Sequence, residues 1–353
     1  MANIVALSQV RYPRRCRPGD RVAVLSPSAA LPAVYPHVHE LGLRRLVDAF
    51  GLVPVEFPTT RQLGSSPAAR AADIVAAFAD PSIAAVIATI GGDDQIAVLR
   101  HLDAALIAAN PKPFFGYSDN TNLLNYLVNL GMVAYHGGST MVHLGRGGRL
   151  HDLTASSLRA ALFQGGEHEL RPPNTFSVNA LPWDDPANLQ REPPTQPASP
   201  WRWHGDGRVV EGRLWGGCLE ILDWTLQVGR YVAPVEHHRS SVLFIETSEE
   251  MPTSAYVYRT LRNMGERGLL GVIDALLVGR PVSEAFGTTA TAEQIAAAED
   301  EQHAAVVRAV DEYHPGLPVV VGIDAGHTDP QLILPLGGLV RVDTKARRIT
   351  VTY

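Results

Sequence analysis

Residues 83–94 read Ile83-Ala84-Ala85-Val86-Ile87-Ala88-Thr89-Ile90-Gly91-Gly92-Asp93-Asp94, and residues 113–121 read Pro113-Phe114-Phe115-Gly116-Tyr117-Ser118-Asp119-Asn120-Thr121. Each is an apolar run that stops at a turn and is followed by helix-spaced residues, Gln95 to Leu102 in one case and Thr121 to Leu130 in the other. That is the pattern of a buried strand feeding a helix. Upstream the same alternation holds. Arg21 to Leu25 is a strand ending at Ser26-Pro27, and His37 to Phe50 has helical spacing of Leu41, Leu46 and Val47. Leu52 to Phe57 is a strand, and Ala68 to Ala79 a helix. Repeated strand-helix units imply a parallel sheet covered by helices. Such sheets carry their chemistry at the carboxyl ends of the strands, so the loops at Ser26, Gly91 and Ser118 are expected to meet in one crevice.

From about Phe163 to Gly207 the composition changes, with eight prolines and the indoles of Trp183, Trp201 and Trp203. A connection this long is expected to be ordered and functional. After it come Val209 to Leu214, a helix at Leu219 to Val228, strands at Ser241 to Ile245 and Val272 to Val278, a helix near Ala255 to Met264, another from Ala292 to Tyr313, and strands at Val319 to Ile323 and Leu339 to Val342. The expected division is an N-terminal α/β domain at 1–165, a Pro/Trp-rich connecting loop at 166–207, and a second, β-rich α/β domain at 208–353.

The chain has 353 residues, 46% hydrophobic and 19% charged, enough for about two domains with sizeable cores. No run approaches the roughly 20 apolar residues that cross a bilayer, so no membrane partner is expected. A formal charge of −6 gives no electrostatic reason to bind nucleic acid. Cys16 and Cys218 supply neither a disulfide framework nor a zinc site, and both read as reduced thiols. Arg14 and Arg15 are not followed by the apolar segment of a secretion signal, and a cytoplasmic location is expected. Lys112 and Lys345 are the two lysines present, which leaves little room for a lysine-based mechanism.

Ser118 stands where a strand breaks into a helix, exposed on a tight turn with the following amide at a helix N-terminus. The residues from Ser118 to Thr121 also read simply as a helix cap. Gly91-Gly92 ends the neighbouring strand, either as a plain turn or as a backbone donor to a substrate oxygen. A serine nucleophile needs a histidine base and a carboxylate to orient it. Glu246 ends the apolar strand Val242 to Ile245, and His327 follows another in Asp324-Ala325-Gly326-His327-Thr328-Asp329-Pro330. Each alone also reads as a surface residue, but the order Ser, acid, His is that of α/β-hydrolases. His136 and His143 lack the spacing of a metal site and read as packing or pocket lining. Gly145-Arg146-Gly147-Gly148-Arg149 lacks the lysine of a phosphate loop and reads as a flexible loop.

These residues resemble the LD-carboxypeptidase family of serine peptidases, which also contains the microcin C immunity proteins. The resemblance covers nearly the whole chain: Pro18-Gly19-Asp20 with Ser26-Pro27-Ser28, Gly91-Gly92-Asp93, Gly116-Tyr117-Ser118-Asp119, Gly216-Gly217-Cys218-Leu219, Leu243-Phe244-Ile245-Glu246, and Gly326-His327 with Pro335-Leu336-Gly337. It implies an N-terminal flavodoxin-like domain, a C-terminal β-rich α/β domain, a homodimer, and a site between the domains that uses neither metal nor organic cofactor. It further implies a triad of Ser118, Glu246 and His327, with the Gly92 and Asp119 amides as oxyanion hole and Gly91 among the substrate contacts. Cys218 stands where the family more often has asparagine.

Two substrate classes follow from the resemblance. One is the amide of an aminoacyl nucleotide, which the immunity branch cleaves; the other is the terminal D-alanine of a murein tetrapeptide. The Trp-bearing loop favours the former, with an indole of Trp183, Trp201 or Trp203 stacked on a nucleobase or else packed between domains. Glu250 lies four residues past Glu246, where acid-selective immunity proteins carry lysine. It is expected to favour amine-bearing acyl groups, and Glu250→Lys to move the preference toward acidic ones. A chain that keeps the crevice as a non-catalytic small-molecule or nucleotide-binding protein is the reading from another class.

Overall fold

The computed structural model describes residues 4–353 apart from 179, 180, 206, 286, 287 and 289. Five short strands open the chain: β1 (Arg21–Leu25), β2 (Val53–Glu56), β3 (Ile83–Ala88), β4 (Phe114–Gly116) and β5 (Ala134–His136). Between them lie α1 (Pro36–Phe50), α2 (Pro67–Ala79), α3 (Ile96–Leu99), α4 (Ala104–Ala109) and α5 (Thr121–Asn129). The five strands pair in parallel in the order β2-β1-β3-β4-β5, the flavodoxin-like arrangement. The order reverses between β1 and β3, so their carboxyl ends, at Ser26 and Gly91, border the crevice such sheets offer to a ligand. β3 and β4 read as continuous apolar runs because helices cover both faces of the sheet. The helix expected from Gln95 to Leu102 is one turn, Ile96–Leu99, and a second helix not foreseen follows it: Asp103 takes the Leu106 amide onto its carboxylate at 3.0 Å and starts α4.

The rest of the chain supplies β6 (Glu167–Leu170), β7 (Thr175–Phe176), β8 (Gln196–Pro197), β9 (Arg202–His204), β10 (Val209–Cys218), β11 (Val242–Glu246), β12 (Ala275–Gly279), β13 (Val319–Ile323), β14 (Leu334–Leu336), β15 (Leu339–Asp343) and β16 (Arg348–Thr352). Its helices are α6 (Asp152–Arg159), α7 (Leu219–Val228), α8 (Ser254–Glu266) and α9 (Ala292–Tyr313). An eight-stranded sheet runs β6-β16-β15-β10-β11-β12-β13-β9, parallel from β10 to β13 and antiparallel at both margins. The sheets do not respect the divisions drawn at 165 and 208. Both edge strands of the large sheet, β6 and β9, come from the Pro/Trp-rich stretch, and β14 crosses back to pair antiparallel with β5.

Helix α5 meets β10 where the halves join. Gly217 has φ 133°, and a Cβ there would lie 2.6 Å from Thr121 Oγ1, so only glycine lets strand and helix approach this closely. The contact is fixed by polar bonds: the Cys218 amide donates to Thr121 Oγ1 at 3.0 Å, and Asn125 Nδ2 to the Gly216 carbonyl at 2.8 Å. One continuous apolar core runs beneath both sheets. No helix among the described residues is long and apolar enough to cross a membrane.

Candidate active site

Ser118 follows β4 directly and has φ 61°, a left-handed conformation that costs a non-glycine residue energy and turns its side chain out of the sheet. The turn is held from below. Asp119 is fully buried, and its carboxylate accepts the Gln95 amide at 2.9 Å, Asn122 Nδ2 at 2.9 Å and the Ser28 hydroxyl. Asn120 Nδ2 donates to the Ile90 and Tyr117 carbonyls at 3.0 Å each, and Gln95 Nε2 donates to Asn120 Oδ1 at 2.8 Å. These bonds tie the Ser118 turn to the Gly91-Gly92 loop. A Cβ on Gly91 would sit 2.7 Å from Ser118 Cβ and 2.8 Å from its Oγ, so the bare backbone lies against the hydroxyl. The Asp119 amide belongs to the first turn after the strand, where N–H groups have no helical acceptor.

Glu246 and His327 come from the other sheet. Glu246 ends β11 and is fully buried; its Oε2 accepts from His327 Nδ1 at 2.6 Å, and His136 Nε2 stands 3.4 Å from its Oε1. Two glycines leave room for it: a Cβ on Gly279 would overlap Glu246 Cβ, and one on Gly326 would lie 2.7 Å from Glu246 Oε2. Burial raises the Glu246 pKa, but the positive charge of His327 and bonds from His136 and His327 outweigh it and hold it down at about 2. Burial likewise opposes charge on His327, and Glu246, Glu249 and Glu220 outweigh that, raising its pKa to about 9. With Glu246 ionised, His327 keeps a proton on Nδ1, which leaves Nε2 as the exchangeable position. The His327 loop is also pinned to the first sheet: Gln331 Nε2 donates to the Gly326 carbonyl at 2.6 Å, and Gln331 Oε1 accepts the Gly138 amide at 3.1 Å.

The Tyr117 ring bridges the two arms, with centroids 4.8 Å from His327 and 5.1 Å from His143. Next to it opens a cleft lined by Tyr117, His143, Arg146, Trp183, His327 and Asp329 among others. His143 is buried there, and burial, then the like charges of His327 and His136, push its pKa down to about 3, so it is a neutral wall. Trp183 is half-buried, edge-on to Tyr35 at 5.5 Å, with its carbonyl accepting from His37 Nε2 at 2.7 Å. The other two indoles are placed away from this cavity. Trp201 Nε1 donates to Asp324 at 2.8 Å within the buried Arg280 ion-pair cluster, and Trp203 pairs with Val320 as part of β9.

Glu250 is exposed; the residue that reaches the imidazole is its neighbour Glu249, whose Oε2 is 3.3 Å from His327 Nε2. The loop 145–149, expected to be flexible, is anchored: Arg146 Nε binds Asp329 at 2.7 Å, Arg146 Nη1 pairs with Glu192, and Arg45 donates to three of the segment's neighbouring carbonyls. Cys218 and Cys16 are free and buried, and burial raises the Cys218 thiol well above its usual range. Lys112 donates to the Ala77 carbonyl at 2.9 Å, at the end of α2. Among the described residues, no group of three or more histidine, cysteine or acidic side chains is spaced to hold a metal ion.

A serine on a strained turn with the Gly91 backbone against its hydroxyl, and a carboxylate-held imidazole from the facing sheet, are parts that an acyl-transfer site requires; among the described residues His327 Nε2 makes no hydrogen bond to Ser118. Comparison with known proteins gives a consistent picture. Residues 22–137 match the LD-carboxypeptidase N-terminal domain, and residues 211–342 the LD-carboxypeptidase C-terminal domain. Microcin C7 self-immunity protein MccF of Escherichia coli is 28% identical over 77% of this chain and 75% of its own length. A structure of MccF in complex with glutamyl sulfamoyl guanosine superposes with TM-score 0.82 at 24% identity, covering 97% of this chain and 98% of that one, and so shares its fold. An MccF-like protein from Streptococcus pneumoniae in complex with AMP does so with TM-score 0.83 at 24% identity, covering 95% and 99%. With both of its domains matched in order, the chain belongs to the LD-carboxypeptidase family of serine peptidases.

Proposed function

We propose that this chain is an immunity-type hydrolase that cleaves the amide between an aminoacyl group and a nucleotide-like moiety, with Ser118 as nucleophile, His327 as base and Glu246 as the residue orienting it. The observation that carries the reading is the 2.6 Å contact between His327 and Glu246 at the wall of a cavity that also holds Trp183. His327 Nε2 takes the Ser118 proton, and Oγ attacks the carbonyl. The Gly92 and Asp119 amides receive the oxyanion, and the imidazolium protonates the departing nitrogen. Water then enters by the same route in reverse and releases the acyl group. Each donor in such an oxyanion hole typically contributes about 3 kcal/mol to the transition state.

In this reading Trp183, which lines the cavity, stacks on a nucleobase, a contact of about 1–3 kcal/mol. The ligands bound by the related structures, glutamyl sulfamoyl guanosine and AMP, support a substrate of this class. The same reading makes the protein a cytoplasmic homodimer, and its free, buried thiols fit a reducing compartment.

The test is a mass-spectrometric competition between a murein tetrapeptide and a panel of aminoacyl sulfamoyl adenosines, with Ser118→Ala as control. Cleavage of the adenosines by the parent chain alone is expected. Release of D-alanine in their place assigns the chain to wall-peptide turnover, and cleavage of neither favours a binding protein.

A further inference from the structure

The nitrogen that must accept the Ser118 proton has an acidic side chain in front of it. His327 Nε2 has no hydrogen-bond partner among the described residues; what faces it is the Glu249 carboxylate, at 3.3 Å. The two differ in setting. The His327 side chain is 6% exposed and the Glu249 side chain 73%, so a carboxylate in water covers a buried ring. Its position is not accidental, because it rides on a turn with a fixed base. Buried Glu220 accepts the Ser248 amide at 2.9 Å and the Ser248 hydroxyl at 2.6 Å. The Met251 amide then closes back on the Ser248 carbonyl at 3.1 Å, with Met251 at φ 51°. Glu249 and Glu250 are the two central residues of that turn, both exposed. The backbone is pinned while the Glu249 side chain is free to pivot.

Charges facing His327 are predominantly negative. Glu246 lies on β11, Glu249 on the turn and Glu220 on α7, while the neutral rings of Tyr117 and His143 fill the remaining sides and His136 lies behind Glu246. With two carboxylates in direct contact, the ring is held as imidazolium, which cannot take a proton from serine.

Resting on the hydrolase reading above, we propose that Glu249 is a displaceable counter-ion. In the free enzyme it holds His327 in its protonated form at Nε2, and a substrate with an ammonium group on its acyl side chain draws the carboxylate away. The imidazolium then loses its Nε2 proton to water, and the lone pair so exposed is the one that receives the Ser118 proton. The substrate class that follows is aminoacyl conjugates of basic amino acids, which both pair with the turn and release the base. Neutral acyl groups meet a base still covered.

The test separates base from substrate. A fluorophosphonate carries no cation, so its rate of reaction with Ser118 against pH, read by intact mass and peptide mapping, reports the base alone. The parent chain is expected to show a midpoint near 9, where the raised His327 pKa places it. Glu249→Gln is expected to lower it by about one unit, the small end of what an adjacent opposite charge does, with Glu249→Asp between the two. Hydrolysis of lysyl- against norleucyl-sulfamoyl adenosine, which differ by the ammonium group, is expected to favour lysyl by about fivefold in the parent, the scale of an exposed ion pair, and to lose that preference in Glu249→Gln. A midpoint unmoved by Glu249→Gln contradicts the counter-ion role while leaving the hydrolase reading intact. An unchanged lysyl preference removes the substrate half of the proposal. Failure of the parent chain to label at Ser118 overturns the hydrolase reading, and this inference with it.

Discussion

Around Ser118, a strained backbone is kept in place by hydrogen bonds among Asp119, Asn120, Asn122, Gln95 and Ser28, with Thr225 of α7 also donating to Asn122 Oδ1 at 3.2 Å. Around Glu246, the second sheet instead assembles buried charge. Glu246 is shared between His327 and His136, Glu249 stands at the outer nitrogen of His327, and several polar atoms of this cluster have no aligned partner among the described residues. In the proposed mechanism the first arm serves position and the second protonation. A nucleophile must stay within a fraction of an ångström of its line of attack, whereas a base must gain and lose a proton twice per turnover, so it needs surroundings that balance either form.

Substitutions can break this contrast at graded depth. Ser118→Ala removes the proposed attacking atom and is expected to lower kcat by about 10⁶-fold while leaving ligand affinity intact, measured by turnover and by calorimetry with an uncleaved analogue. Glu246→Gln keeps the shape but offers His327 Nδ1 an amide donor. That favours the tautomer with its proton on Nε2, and a loss of about 10⁴-fold in kcat is expected. Gly91→Ala leaves every charge alone and displaces Ser118, because the new Cβ would fall 2.8 Å from Oγ; a loss of about 10²-fold with an unchanged pH profile is expected. If its pH profile moves instead, the assignment of position to one arm and protonation to the other fails. Trp183→Ala touches neither arm and is expected to raise KM by about tenfold with kcat held.

The smallest effect sharpens the comparison through stability. His327 has its pKa raised from 6.5 to about 9, so its pairing stabilises the fold fully below pH 6.5 and is lost as pH rises through 9. The melting temperature of the parent is therefore expected to fall across that window by a few degrees more than that of His327→Ala.

Long, continuous elements were legible in the sequence in both halves of the chain, and short ones were not. β3, β13 and α9 are continuous or strongly periodic, and Ser118 sits at an unmistakable strand-to-helix break, so local pattern sufficed. β5 and β14 have three residues each, too few for any period to show, and β14 contains Pro335; they exist because antiparallel pairing closes the first sheet. Nor could spacing choose among three indoles. Trp201 and Trp203 were taken by the Asp324 contact and the β9 register, and Trp183 was left for the cavity. The acidic pair Glu249-Glu250 was visible as a pair. Which member faces the imidazole is set by the turn closing on Ser248, a one-residue choice that buried Glu220 makes from a different helix. His136 read as packing or pocket lining, and its partner Glu246 was not foreseen because that contact joins strands from different sheets.

The central claim is that residues from the two sheets act as one catalytic unit on Ser118. The most direct measurement is peptide mapping of the fluorophosphonate adduct in the parent chain, in His327→Ala and in Glu246→Gln. The account predicts a single adduct on Ser118 in the parent, formed far more slowly in both variants. An adduct on another residue, or equal rates of labelling at Ser118 in all three chains, would contradict it.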